Sequence, residues 1–347
     1  MRLLAFLFLP LAISQPLATN LDRANSARPG EPAANILFRS DDGGKTWQNL
    51  SRGLPEDMQS AHVLSQNGSV FIGTINGSVY HSENPETGAW EGGSVGDIFM
   101  NTGTNYSGEF ISGLFPGSSG PYACLYENGF YRKISGTNLW QPLHEALADK
   151  KVHTVLEKPD GTILVGSSSG IYASSDDGKT WRHLYNEGPV NSLAGTGQTL
   201  IASGPRGLLR STDGGEHWSE VLPDEGGIYQ TSLIGDRFAA VRLAGPWRST
   251  GENGSNRAYT SADDGMGWQR LDANLPDQAL SPIQEVYDLR QAGEFLFCCH
   301  KAGISCSTDG GQTWELVHPA TIAGEKVRFN LAVSGRTVYA VVVRGGC

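Results

Sequence analysis

Seven tryptophans recur along the chain at a nearly regular spacing, and this repeat limits the folds that the chain can adopt. They are separated by 43, 50, 41, 37, 50 and 46 residues and are Trp47, Trp90, Trp140, Trp181, Trp218, Trp268 and Trp314. Self-similarity at such a period indicates a repeat fold, in which each unit buries its apolar face against its neighbours. The eighth tryptophan, Trp247, falls outside the repeat.

Five of these tryptophans close the pattern Ser-x-Asp-x-Gly-x-Thr-Trp. The pattern is complete at 40–47, 174–181 and 307–314, and it carries His217 or Gly267 in place of the threonine in two further copies. Shortened forms, Ser82/Asn84/Trp90 and Gly136/Asn138/Trp140, precede the remaining two. We predict a hairpin turn in which the aspartate accepts a backbone N–H two residues on and the glycine adopts positive φ. The tryptophan then enters the next strand and packs between neighbouring units.

The pattern resembles the Asp-box (BNR) repeat of the sialidase-like β-propellers, and the resemblance runs from about residue 35 to the C-terminus. The resemblance implies that each box lies on the turn between the third and fourth strands of a blade, away from the ligand face. We therefore place no box aspartate in a binding site.

Strand and turn signals divide each interval between tryptophans into four short strands. After Trp314 the chain supplies only two more strands, at 327–333 and 337–343, whereas the first residues of the repeat supply two, at 35–40 and 47–50. A blade made from both ends would close the ring and remove its exposed sheet edges. We predict an all-β fold, a single seven-bladed β-propeller over residues 35–347, with four-stranded blades and the last blade closed by both termini.

The residues before the repeat are predicted to be an export signal and a leader. Residues 1–14 combine Arg2, an apolar run and small residues at 12 and 14, as in a secretory signal peptide. Residues 15–34 are predicted to be a flexible leader. The alternative is a membrane anchor, but the apolar run is shorter than the roughly 20 residues that a span needs. We therefore expect a secreted monomer without a membrane span.

Charge and cysteine content narrow the classes of partner and cofactor. The net charge is −10 and no basic patch is present, so we expect no nucleic-acid partner. An exported protein could oxidise Cys299 with Cys306 across one predicted hairpin, or these could be buried thiols. The spacing of the five cysteines does not fit a zinc site, and we expect no metal or cofactor. The other three are Cys124, Cys298 and Cys347.

One long loop is the main candidate for a binding site. In a propeller the connections from second to third strands gather on one face, and the fifth of them, 245–257, is the longest. A tryptophan ring beside arginine and asparagine can stack on a sugar and bond its hydroxyls, although Trp247 could instead be a lid on the blade. The candidate ligand-binding residues of this face are Trp247, Arg248, Glu252, Asn253, Arg257, Arg206 and His300.

Three functions remain open, and the first is our leading interpretation: recognition of extracellular glycan, or service as an interaction scaffold. The second is a sialidase-like glycoside hydrolase, which would need two carboxylates about 5–9.5 Å apart. Its acids would come from Glu56, Asp57, Asp97, Glu145, Glu187, Asp224, Glu225 and Asp277. The family's enzymes usually have six blades and an Arg-Ile-Pro motif that this chain lacks, so we assign no catalytic residue. The third is a protein-assembly factor.

Overall fold

The protein is a ring of seven four-stranded antiparallel sheets. The computed structural model describes residues 34–95, 110–223, 228–243, 256–271 and 286–344. Within these ranges strands dominate, and a short 3-10 turn, Pro85–Thr87, interrupts the third connection of the first blade. The predicted fold class, a seven-bladed propeller, is confirmed.

Each of blades 1 to 6 is a meander of four consecutive strands, numbered in chain order. Blade 1 comprises β3–β6, at Ser60–Gln66, Ser69–Thr74, Ser78–Ser82 and Glu91–Ser94. Blade 2 comprises β7–β10, at Ile111–Phe115, Tyr122–Leu125, Phe130–Lys133 and Trp140–Pro142. Blade 3 comprises β11–β14, at Val152–Glu157, Ile163–Ser167, Gly170–Ser174 and Arg182–Tyr185.

The next three blades repeat this plan. Blade 4 comprises β15–β18, at Leu193–Thr196, Thr199–Gly204, Gly207–Ser211 and Ser219–Pro223. Blade 5 comprises β19–β22, at Ile228–Ile234, Arg237–Leu243, Arg257–Ser261 and Gln269–Arg270. Blade 6 comprises β23–β26, at Val286–Ala292, Phe295–His300, Gly303–Ser307 and Glu315–Pro319.

Blade 7 joins the two ends of the chain, as predicted. Its inner strands are β29 (Arg328–Ser334) and β30 (Thr337–Val343), and its outer strands are β1 (Leu37–Ser40) and β2 (Gln48–Asn49). Strand β1 pairs with β30 over four residues, from Leu37 opposite Val341 to Ser40 opposite Val338. A small hairpin, β27 (Thr321–Ile322) and β28 (Glu325–Lys326), lies in the connection from blade 6.

The core is divided among the interfaces between blades, and each interface holds one tryptophan of the repeat. Seven buried clusters lie in the described residues, one between each pair of neighbouring blades. Each tryptophan packs against the preceding blade: Trp314 of blade 6 joins Val241 of blade 5, and Trp47 of blade 7 joins Val317 of blade 6. Because every unit covers its predecessor, the repeat buries its apolar surface only when the ring is complete.

The three complete boxes and the two variant boxes fold as nearly identical turns between third and fourth strands. In blade 3, Ser174 Oγ donates to Asp176 (2.8 Å), and the N–H of Gly178 donates to Ser174 Oγ (2.8 Å). The backbone N–H of Thr180 donates to Asp176 at 2.9 Å, and its hydroxyl donates at 2.6 Å. The aspartate therefore bridges four residues, twice the span of the expected turn, because the serine takes the nearer N–H.

The same hydrogen bonds stabilise the ionised aspartates. Donation from the Thr46 and Thr180 side chains lowers the pKa of Asp42 and Asp176 to about 2. The box glycines adopt the predicted positive φ, which is +79° at Gly178 and +94° at Gly311. The boxes thus satisfy their own polar groups, which fits a structural task.

Four of the five cysteines are buried thiols. Cys124, Cys298, Cys299 and Cys306 form no disulfide. Cys299 is paired with Ile304 in the neighbouring strand, whereas Cys306 is paired with Phe297. Burial raises the pKa of Cys306 to about 11. The structure therefore shows the buried-thiol alternative, and Cys347 lies outside the described residues. In the part of the chain described, no helix has the length and apolarity needed to cross a bilayer.

Candidate ligand-binding face

The side of the ring opposite the boxes is the candidate ligand face. Because strands alternate in direction, the connections from second to third strands and from outer strands to the next blade share this side. Its centre is ringed by the residues that precede or begin the inner strands. Among the described residues these are Gln59, Phe110, Lys151, Asn191, Ile228 and Arg328.

The residue that follows each second strand lies beside this ring. In blades 1, 2 and 3 its N–H donates to the carbonyl before the inner strand, at 3.1, 3.0 and 3.1 Å. These residues are Ile75, Tyr126 and Ser168, so three consecutive blades present adjoining side chains around the channel mouth. The backbone framework is shared and only the side chains differ from blade to blade.

Blade 2 gives this face an exposed aromatic platform, formed by Phe110 and Tyr126. Their rings stack with centroids 4.7 Å apart and planes 15° from parallel. Tyr126 is 46% exposed and Phe110 is 36% exposed, and Ile75 of blade 1 is 50% exposed. Large apolar side chains held in the open on one rim are typical of a surface that meets a ligand.

A polar cluster joins the aromatic platform to blade 3. Lys151 Nζ and Glu127 Oε1 form an ion pair of 2.8 Å. Asp149 accepts hydrogen bonds from the N–H of Lys151 (3.0 Å) and from the N–H and hydroxyl of Ser169 (2.8 and 2.7 Å). Burial opposes ionisation of Asp149, but these hydrogen bonds outweigh it and lower its pKa. An ionised acceptor is therefore held ready beside the platform.

A serine and a histidine meet in the same place, although nothing in the sequence pairs them. His153 Nε2 lies 3.0 Å from Ser168 Oγ, and burial lowers the pKa of His153, which keeps its ring neutral at neutral pH. A serine nucleophile needs its base oriented by a third group. The nearby carboxylate, Asp149, is bonded to Ser169 and Lys151 instead. The pair therefore offers a hydrogen-bond donor and acceptor rather than an assembled catalytic triad.

Most of the predicted loop lies outside the described residues, including Trp247, Arg248, Glu252 and Asn253. Arg257 begins β21 and stands opposite Arg242 of β20.

The two other predicted residues lie in different settings. Arg206 is 64% exposed, pairs with Glu220 at 2.8 Å and with Glu187 at 3.6 Å, and faces the outer wall of the ring. His300 is buried, and its Nε2 lies 2.8 Å from Ser305 Oγ. Burial lowers the pKa of His300 to about 4. These contacts favour a structural role for His300.

The acids proposed for hydrolysis are spread around the ring. Glu56, Asp57, Glu145 and Glu187 are exposed to solvent. Asp97, Asp224, Glu225 and Asp277 lie outside the described residues.

Basic residues of this face also lie on blades 6 and 7, on the other side of blade 1 from the aromatic platform. Lys301 and Arg328 are exposed, and the Arg328 guanidinium lies 5.0 Å from the centroid of the Tyr287 ring. Arg344 Nη2 donates to the Asn35 carbonyl at 3.1 Å, next to the blade that closes the ring. The described face therefore carries an aromatic stack on blade 2 and exposed basic side chains on blades 6 and 7.

Comparisons with solved structures show the same fold at low sequence identity. A GH74 enzyme from Niastella koreensis is 15% identical with a TM-score of 0.63, covering 82% of this chain, and this chain spans about half (51%) of that one. YCF48 bound to D1 peptide is 14% identical with a TM-score of 0.56, covering 83% of this chain and 94% of that one. A virginiamycin B lyase from Staphylococcus aureus with quinupristin is 16% identical (TM-score 0.58), covering 84% and 97%.

Comparisons of sequence identify the family. No curated protein matches the chain. The BNR/Asp-box repeat matches residues 38–49, which hold the first box. The DUF6242 beta propeller domain matches residues 127–344, more than half of the chain. Since the matched segment carries blades 3 to 6 and the inner half of blade 7, the chain belongs to the DUF6242 β-propeller family.

Proposed function

We propose that the protein is a secreted glycan-recognition propeller that binds a polysaccharide on the face opposite the boxes. The observation that carries this proposal is the exposed Phe110–Tyr126 stack beside a cluster of fixed polar groups. A flat aromatic surface packs on the C–H face of a sugar ring, and neighbouring polar groups fix its orientation through the hydroxyls.

The polar groups beside the aromatic platform suit sugar hydroxyls. Asp149 supplies a carboxylate acceptor, and the Ser168 hydroxyl and the His153 ring supply a donor and an acceptor 3.0 Å apart. The Lys151–Glu127 ion pair adds a donor and an acceptor at the same edge. Such groups are already held by the protein, so little rotational freedom is lost on binding.

The comparisons support a polysaccharide as one partner class, since one fold relative is described as a GH74 xyloglucanase from Xanthomonas campestris. The apolar run at residues 3–13 motivates the secreted location. We infer recognition as the main activity, because the described face pairs an exposed aromatic stack with hydrogen-bonding groups.

The test is affinity electrophoresis in gels that contain xyloglucan, polygalacturonate or laminarin. We expect the wild-type protein to be retarded by at least one polymer, and Tyr126→Ala to weaken that binding by at least about tenfold without changing the melting temperature. Leu139→Ala is the matched control, because Leu139 is equally exposed (47% against 46%) but lies on the box side of blade 2.

Two outcomes would refute the proposal: no retardation by any polymer, or full retardation of the Tyr126→Ala protein. Release of reducing ends from the bound polymer would instead support the hydrolase. Trp247→Ala, Arg248→Ala and Arg257→Ala belong in the same series, since the loop remains a predicted part of the site.

A protein or peptide partner is the second candidate, and one observation favours it. Ile75 is half exposed next to the aromatic platform, and its aliphatic side chain offers no hydrogen bond to a sugar hydroxyl. YCF48, a fold relative, is described as bound to D1 peptide. Ile75→Ser would leave polysaccharide binding unchanged but would weaken binding of a protein partner.

A further inference from the structure

A groove on the outer wall of the ring lies between blades 3 and 4, away from the channel mouth. Its volume is about 680 Å³, within the range of ligand sites. Residues from both sides of the ring line it, so it crosses the wall from the ligand face to the box face. The six that matter here are Tyr185, Glu187, Arg206, His217, Trp218 and Glu220.

The Arg206 guanidinium lies between two carboxylates at the end of this groove nearest the ligand face. Arg206 Nε lies 2.8 Å from Glu220 Oε1, and Arg206 Nη2 lies 3.6 Å from Glu187 Oε2. Arg206 and Glu187 are each 64% exposed, so both remain accessible to a ligand. Planar donors beside carboxylate acceptors can hold vicinal hydroxyls in two parallel hydrogen bonds.

Aromatic rings form one wall of the groove. The Tyr185 and Trp218 rings pack edge to face with centroids 6.4 Å apart. The Trp218 indole N–H donates to the Gly215 carbonyl at 2.9 Å, which fixes the ring, while the residue remains only partly buried. Burial, followed by the charge of Glu187, raises the pKa of Tyr185, so its hydroxyl stays protonated.

The groove is lined by one of the two box turns that lack the threonine. Its box carries His217 in place of threonine, and His217 Nδ1 contacts Asp213 Oδ2 at 2.6 Å. The histidine side chain is 91% exposed and lies at the end of the groove nearest the box face. The substitution keeps the box bond to Asp213 and adds an exposed ring to the groove.

Contacts along blade 3 lead from the polar cluster to β14, the outer strand of blade 3 that also lines the groove. Asp149 of the polar cluster binds Ser169, and the Ser169 carbonyl lies 3.0 Å from His183 Nε2. His183 is exposed and stacks on Tyr172 with ring centroids 4.1 Å apart, on the side of blade 3 that faces blade 2. Tyr185 lies two residues further along β14 and packs on the side that faces blade 4, in the groove. Polar and aromatic groups therefore lie on both sides of blade 3, on the blade 2 side near the polar cluster and on the blade 4 side in the groove.

We propose that the groove is a distal saccharide subsite, which receives the continuation of a glycan chain bound on the aromatic platform. This inference rests on the proposed function and adds that the ligand is a chain several sugar units long. A linear polymer can reach both places along blade 3, whereas a single sugar can occupy only one.

The test is isothermal titration of cello-oligosaccharides and galacturonic-acid oligomers of two to eight units. We expect wild-type affinity to rise by about tenfold or more with length in one series, as a second contact region is engaged. Arg206→Gln should abolish this gain and leave the affinity for the shortest bound oligomer unchanged. Arg336→Gln is the control: Arg336 is equally exposed (66%), pairs with Glu294 at 2.6 Å and lies on the box side.

Each other outcome has a distinct meaning. Equal affinity for short and long oligomers, or a length effect that survives Arg206→Gln, would overturn the distal subsite but leave the platform in place. A loss of all binding in Tyr126→Ala, with the wild-type length effect present, would support both. Absence of binding by every oligomer and polymer would overturn the proposed function, and this inference with it.

Discussion

The two faces of the ring are built from the same strands but use their polar groups in opposite ways. On the box face, serine, aspartate and threonine bond one another, with side-chain hydrogen bonds of 2.6–2.9 Å in blades 3, 6 and 7. On the ligand face, the position that follows the second strand holds Ile75, Tyr126 and Ser168 in three successive blades. Only the backbone bond is repeated there.

The difference shows that polar side chains on the box face stabilise the fold, whereas those on the ligand face remain accessible. A turn whose donors and acceptors are saturated internally has little left for a ligand. A turn held by its backbone alone can vary its side chains without loss of the fold. The experiments below test this division, from the largest expected effect to the smallest.

A methyl group at a box glycine should cause the largest loss of stability. Gly311 has φ of +94°, and a Cβ there would lie 2.4 Å from Leu271 Cδ1 of the preceding blade. We expect Gly311→Ala to lower the free energy of unfolding by about 3–4 kcal/mol, from backbone strain and overpacking together. Thermal unfolding measures this, with polysaccharide binding of the folded protein unchanged.

Gly335→Ala separates the two causes, because Gly335 has φ of +60° and nothing within 4 Å of its Cβ position. It should show the strain alone and a smaller loss. Equal losses in the two variants would mean that contact with the preceding blade does not matter.

His300 should behave like a box residue although it lies on the ligand side. Its Nδ1 accepts the Ala302 N–H at 3.4 Å, so the proton sits on Nε2 and faces Ser305. Its pKa is about 4 in the folded protein, below the value of about 6.5 in an unfolded chain. The unfolded state therefore binds a proton first, and stability is lost as pH falls from about 6.5 to 4.

We expect this loss to be at most about 3 kcal/mol and to be smaller in His300→Gln. Chemical denaturation of both proteins between pH 7 and 4 measures it. An identical pH profile in the variant would show that the ring is accessible to water and would return His300 to the list of ligand-binding residues.

Removal of a box carboxylate should have the smallest effect of the three. Asp309 accepts hydrogen bonds from the hydroxyl and N–H of Thr313, and these hold its pKa well below the usual range. Asp309→Ala should lower the melting temperature by less than Gly311→Ala does. Because the depressed pKa favours the folded state only above about pH 4, the difference from wild type should shrink below that pH.

Asp236→Ala is the control, since it removes the same charge from an exposed turn on the same side. If Asp309→Ala weakened polysaccharide binding and left the melting temperature unchanged, the assignment of the two faces would be reversed.

The fold could be predicted from sequence because each box carries its own local signal. Every full copy has an aspartate, a glycine and a tryptophan at the positions of Asp42, Gly44 and Trp47. The two strands missing after Trp314 match the two extra strands at 35–40 and 47–50. The site could not be predicted in the same way. Phe110 and Tyr126 have the sequence signal of ordinary strand-edge residues, and only the pairing of β7 with β8 brings their rings together. In the same way, His153 meets Ser168 only through the pairing of β11 with β12.

One signal could have found the ligand face: the position before each inner strand changes its chemistry from blade to blade. It is Gln59, then Phe110, then Lys151, whereas the box positions stay constant. Arg206 illustrates the remaining limit, because its two partners lie 19 and 14 residues away, on elements whose approach only the folded ring defines.

The shared blade also delays the pairing of β1 during synthesis of the chain. Strand β1 pairs with β2 on one edge and with the distant β30 on the other, so the second edge, with Leu37 opposite Val341, cannot be paired until β30 has been synthesised. At about 5–20 residues per second, that delay is on the order of tens of seconds. During that interval the unpaired edge of β1 is accessible to other chains. Pairing of β1 with β30 of the same molecule closes the ring, whereas pairing with β30 of another molecule would join two molecules.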